Sequence, residues 1–125
     1  AGLPLVVGGR SSGARVACRT AAALGAAGVV ALAFPVHPPG RPERSRLDEL
    51  RTGLPTLVVN GDRDPFGVPG RSPGRRVVVR PGETHALGAD PAGVAAVTLR
   101  WLAQHGWARP VRPRNVRVTG GVTPA

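Results

Sequence analysis

Four short apolar runs constrain this chain more than any other feature. They are Leu3–Val7, Gly28–Phe34, Pro55–Asn60 and Arg76–Arg80, each of strand length. Strands buried on both faces carry continuous apolar runs rather than an apolar–polar alternation. Helix-type segments fall between and after them. Ser12–Ala27 is rich in alanine, the strongest helix former, with Gly25 and Gly28 to help end it. Glu43–Thr52 opens with acid, sets Leu47 and Leu50 three apart on one face, and stops at Gly53. Asp90–His105 begins with an N-cap followed by Pro91 at the first helical position. Val94, Val97, Leu99, Trp101 and Leu102 supply its apolar face. This alternation predicts an α/β, three-layer domain of about four parallel strands and about three helices. Right-handed crossovers then bring the C-terminal ends of all strands to one edge, where such sheets bind their ligands.

The turn after the first run carries Gly9-Arg10-Ser11-Ser12-Gly13. A serine at the apex of a sharp strand-to-helix turn, flanked by glycines in Gly-x-Ser-x-Gly spacing, is a nucleophile elbow. Side chains at the glycine positions would collide with the strand and the helix. Ser12 is not the apex, because its own flanking positions hold Arg10 and Ala14. The helix that follows aims its N-terminal N–H groups at the serine oxygen. Further chemistry falls at the same edge: His37 after the second strand, Asp62 or Asp64 after the third, and His85 after the fourth. His105, at a helix C-terminus, reads as structural. A glycine loop before a helix can also hold phosphate. Here it has neither Gly-x-Gly-x-x-Gly nor a Gly-Lys-Ser/Thr ending. Metal-ligand spacings such as His-x-x-x-His or paired cysteines are absent from the sequence, so neither metal nor cofactor is expected.

Composition narrows the setting. The 125 residues suit one small domain over 1–107, followed by a flexible Arg/Pro/Gly-rich tail over 108–125. The apolar content is mostly Ala, Val and Leu, so the core buries little area per residue and marginal stability is expected. Net charge is +10 and every basic residue is arginine. Aromatics for base stacking are scarce and no helix carries a basic stripe, so nucleic acid is not the expected partner. Cys18, the lone cysteine, excludes a disulfide within the chain. It fits a reducing, cytoplasmic compartment and reads as a small buried hydrophobe. No apolar run is long enough to span a membrane. The chain opens almost directly on its first strand and reads as a fragment.

Ser, then Asp, then His, each on a loop after a strand, resembles the chain order of the α/β-hydrolases. Gly61-Asp62-Arg63-Asp64 resembles that superfamily's Gly-x-x-Asp acid turn, which selects Asp64, and Pro81–Leu87 resembles its histidine loop. Phe34–Glu43 together with Leu57–Gly67 is similar to the predicted hydrolases of dienelactone-hydrolase type, a branch related to the NSL-complex scaffold subunit. The resemblance implies a serine hydrolase acting on a small-molecule ester or thioester through an acyl-enzyme. Ser11 would be nucleophile, His85 base and Asp64 acid, with the Ser12 N–H in the oxyanion hole and Phe66 lining the pocket; His37, at the same edge, reads as lining the pocket or ordering a loop rather than as the base. A full fold of this kind has about eight strands, so the chain resembles a partial α/β-hydrolase fold, its fifth to eighth strands. Missing with the first four strands is a second oxyanion donor, a loss of about 10²–10³ in rate. An unpaired first strand would favour self-association. Gly67–Gly74 replaces a helix usual in the family, which is expected to shift His85 relative to Ser11. The alternative from another class is a non-catalytic α/β-hydrolase-like binding or scaffold module.

Overall fold

The computed structural model describes residues 2–109. Beyond Arg109, the segment expected to form a tail lies outside the described residues. Along the chain come β1 (Val6–Arg10), α1 (Ser12–Thr20), β2 (Gly28–Leu32), a 3₁₀ turn (Leu47–Leu50), β3 (Thr56–Gly61), β4 (Arg75–Arg80) and α2 (Pro91–Gln104). The strands form one parallel sheet in the order β1-β2-β3-β4. The α/β, three-layer expectation therefore holds, with two α-helices and one 3₁₀ turn in place of three helices.

Strand alternation divides the apolar side chains between two cores. Val29, Ala31, Val58 and Val77 meet Ala14, Ala17 and Cys18 of α1 on one face. Val30, Leu57, Val59 and Val78 meet Val94 and Trp101 of α2 on the other. Each of the two buried α2 side chains contributes about 1.5–3 kcal/mol of apolar burial. Leu99 does not join them. It is 51% exposed, because it is rotated off the stripe that Val94, Val97 and Trp101 define. No helix among the described residues is long and apolar enough to cross a membrane.

Several element boundaries differ from the pattern in the sequence, and three of the differences have a visible cause. The first strand starts at Val6 rather than Leu3, since its pairing with β2 begins at Val6↔Gly28. Leu3 is 96% exposed and Leu5 is 48% exposed, so neither packs as a buried strand residue. α1 ends at Thr20, and Ala21–Gly25 continue as turns. Gly25 at φ 69 closes them, with its N–H donated to the Ala22 carbonyl and the Ala26 N–H to the Ala21 carbonyl, the Schellman pattern. The helix expected over Glu43–Thr52 shrinks to Leu47–Leu50, of which only Leu50 is buried. Its N-terminal half is drawn into loop by the Arg46 N–H bonding the Val36 carbonyl. At the end of α2, Gly106 and Trp107 form a second Schellman closure, which lays the Trp107 ring against Gly28.

The 3₁₀ turn is fastened to α1 by a forked ion pair. Arg15 Nε and Nη2 each donate to Glu49 at 2.7 Å. That hydrogen bond, ahead of simple charge attraction, lowers the Glu49 pKa and raises that of Arg15. A carboxylate whose folded pKa is depressed contributes stability above its unfolded pKa, and this is lost as pH falls through the lowered value. Glu49→Gln should therefore destabilise the fold at neutral pH by about 1 kcal/mol or less, since solvent screens the pair. In urea melts the gap between the two proteins should persist through the ordinary glutamate range and close only as pH falls below it.

The two glycines of the elbow are not equivalent. A Cβ on Gly9 would lie 2.3 Å from the backbone of Gly13, whereas a Cβ on Gly13 would meet nothing within 4 Å. The expected collision is thus real at Gly9 and absent at Gly13 within the described residues. Gly9→Ala should push α1 off the sheet and cost about 1–3 kcal/mol. Gly13→Ala, in the first turn of α1, should be neutral or stabilising by up to about 1 kcal/mol. Thermal melts of the two variants check the contrast.

Candidate active site

β1 delivers Ser11 to the C-terminal edge of the sheet in a strained conformation, φ 54 and ψ −120. A non-glycine residue in such a region costs on the order of 1–3 kcal/mol and persists only when its surroundings over-determine it. Here the Ser11 N–H donates to the Leu32 carbonyl at 2.9 Å, and the Ser11 carbonyl accepts from Ala14 N at 2.9 Å. The turn is therefore tied to β2 on one side and to the first turn of α1 on the other. Ser12 opens the helix, so its N–H has no partner within α1.

The loops after β3 and β4 bring Asp64 and His85 to this serine. Ser11 Oγ lies 2.7 Å from His85 Nε2, and His85 Nδ1 lies 2.8 Å from Asp64 Oδ2. A carboxylate only accepts, so Nδ1 carries the hydrogen and Nε2 offers its lone pair to the serine hydroxyl. The Asp64 side chain is fully buried, and its other oxygen accepts from Phe66 N at 2.8 Å. The Phe66 ring stacks on the imidazole at 4.1 Å between centroids, 29° from parallel. Gly67–Gly74 is loop, yet His85 is not displaced from Ser11. Asp62, the other candidate acid, is exposed and accepts from Gly82 N at 2.9 Å.

A sequence model described as the alpha/beta hydrolase domain matches residues 1–78. The chain belongs to the alpha/beta hydrolase domain family. No curated protein and no solved structure matches it. The family match covers the elbow and the acid turn but stops short of His85, so the histidine of this hydrolase domain joins the pattern through its geometry.

His37 is not part of the Ser11–His85–Asp64 chain. Its Nδ1–H donates to the Pro38 carbonyl at 2.8 Å and its backbone N–H to the Phe66 carbonyl at 3.0 Å. It therefore joins the loop after β2 to the acid turn, beside Gly67. Cys18 lies under α1 in the core. Burial first, and then the Glu49 charge, push its thiol up to about 11 against a smaller opposing effect of Arg75. It is protonated at neutral pH and is no nucleophile there.

Several polar residues that organise this hydrolase edge do not stand out in the sequence. Asn60 is fully buried at the end of β3. Its Oδ1 accepts from Phe34 N at 3.0 Å, and its Nδ2 donates to the carbonyls of Phe34 and Gly67 at 3.0 and 3.1 Å. Glu83 is 3% exposed and accepts from the N–H groups of Ala89 and Asp90, which shapes the chain after His85. The Arg10 guanidinium donates to the Ala86 carbonyl and so links the elbow to the histidine loop. The one signal available was an amide closing an otherwise apolar strand at Asn60, where burial without partners would be costly. Asn60→Ala should leave the Phe34 amide unpaired and lower stability by about 2 kcal/mol or more. The variant should also loosen the acid turn, read as a slower reaction of Ser11 with a serine-directed probe.

Proposed function

We propose that this alpha/beta hydrolase domain hydrolyses an ester or thioester by acyl transfer, with Ser11 as nucleophile, His85 as general base and Asp64 as the acid that orients it. One observation carries the reading: a strained serine within 2.7 Å of an imidazole that is itself 2.8 Å from a buried carboxylate. A serine hydroxyl is a weak nucleophile unless a neighbouring base takes its proton. His85 Nε2 would take the Oγ proton as Oγ bonds the substrate carbonyl carbon. Asp64 would stabilise the imidazolium and hold its tautomer. The oxyanion would accept from the Ser12 N–H, aided by the positive end of α1. The imidazolium would return the proton to the leaving alkoxide or thiolate as the carbon–heteroatom bond breaks. A water, deprotonated by His85, would then attack the acyl-enzyme, release the acid and restore Ser11.

Phe66 and His37 form the wall of the proposed pocket on the side of the acid turn. The stretches Phe34–Glu43 and Leu57–Gly67 support assigning the domain to the branch of dienelactone-hydrolase type, and the lone buried thiol suits a reducing compartment. A non-catalytic module would gain nothing from a strained Ser11 or from burying Asp64 against an imidazole. Incubation with a fluorophosphonate probe, followed by adduct mapping, tests the mechanism. Ser11 should be labelled, Ser11→Ala should not, and Asp64→Asn should slow turnover by about 10⁴-fold. A folded protein with no label on Ser11, and with no p-nitrophenyl ester hydrolysis above the Ser11→Ala control, would refute the mechanism.

A further inference from the structure

The geometry points to a second functional surface: the free edge of β4 docks an extended acidic peptide, which adds to the sheet as a fifth strand. β4 bonds β3 through alternate residues. The Thr56 N–H donates to the Gly74 carbonyl and the Asp62 N–H to the Arg80 carbonyl. In a parallel ladder this phase gives Arg76, Val78 and Arg80 to β3. The N–H and C=O groups of Val77 and Val79 then face outward, with no backbone partner among the described residues. The open stretch is bounded. At one end the Arg75 N–H is closed on the Ser72 carbonyl, and at the other Pro81 has no N–H. A groove of about 780 Å³ runs along it between β4 and α2, lined by Arg76, Val78, Trp101, Gln104 and His105, with Arg71 beside them.

Charge and shape select the occupant. Arg71, Arg75 and Arg76 form no ion pair among the described residues, and the buried Arg75 Nε has no hydrogen-bond partner there. Val79 is 45% exposed at the edge. An unpaired strand edge calls for a main chain, the arginines call for carboxylates, and the valines call for apolar or β-branched side chains. The matching peptide carries acid opposite Arg75 and Arg76 and apolar residues opposite Val77–Val79. A second copy pairing β4 antiparallel to β4 about Val78 would oppose arginine with arginine, Arg76 with Arg80, which is destabilising. The chain's own C-terminal segment, with Arg112, Arg114 and Arg117 and no acid, has the wrong sign. The groove includes Pro55, Gly74 and Arg75 at the N-terminal end of the strands, opposite the edge that holds Ser11, so docking is independent of the proposed hydrolysis.

Fluorescence anisotropy with the full chain tests this. The probe is a short fluorescein-labelled peptide in which two glutamates precede three valines, alongside a counterpart with lysines for the glutamates. The acidic peptide should bind saturably and more weakly as salt rises, and the lysine peptide about tenfold or more weakly. Val79→Pro removes an outward N–H that β3 does not use, so the sheet should survive by circular dichroism while affinity falls about tenfold. Arg76→Glu, at an exposed position, should weaken binding similarly and serves if the proline variant does not fold. Equal binding of the two peptides, or acidic-peptide binding undiminished in both variants, would overturn the proposal. So would a concentration-dependent dimer that excludes the peptide and is lost in Val79→Pro.

Discussion

The architecture depends on one close approach, the backbone of Gly9 against that of Gly13 where β1 turns into α1. That approach forces Ser11 into a conformation an L-residue rarely adopts, at a cost on the order of 1–3 kcal/mol. The cost is offset by packing rather than by local preference. α1 lies low on the sheet because the residues it buries are Ala14, Ala17 and Cys18, all small. Larger side chains would lift the helix, relax the turn and withdraw Ser11 from the edge. The alanine-rich composition, which limits how much area the core can bury, is thus also what allows the elbow to close.

Polar contacts between loops do the remaining positioning. Strand ends alone bring Ser11, Asp64 and His85 to a common edge, but hydrogen bonding between them requires the loops to be held to within a fraction of an ångström. Asn60 clasps the end of β2 and the acid turn, and Asp62 accepts from the loop after β4. Glu83 gathers the chain toward α2, and Arg10 ties the elbow to the residue after His85. Each of these groups satisfies main-chain donors or acceptors that would otherwise be unpaired at a crowded edge. The site is therefore one network of loops rather than three independent side chains.

Much of the fold was legible because its cues are local. Valine-rich runs, the Asp90-Pro91 cap and Gly25 act within a few residues, and each corresponds to an element or terminus in the structure. The elements that departed from their cues were those governed by partners elsewhere. Leu3 and Leu5 look like strand residues, but β2 pairs from Val6 onward. Glu43–Arg46 have helical composition, but Val36 claims the Arg46 N–H. Asn60 and Glu83 were not legible as organisers, because nothing near them in sequence indicates the carbonyls and amides they meet.

By itself the sequence determined the layer order, the parallel sheet, and which chemically able residues lie at strand ends, since periodicity and turn chemistry act over short range. The resemblance to a Gly-x-x-Asp turn already selected Asp64 over Asp62, whereas only the tertiary structure decided that His37 serves the loops and that Gly9 rather than Gly13 needs to be glycine. Among the described residues it also left the edge of β4 open beside three arginines. These depend on distances between segments far apart in the chain, which are set by strand register and by the depth at which the helices pack.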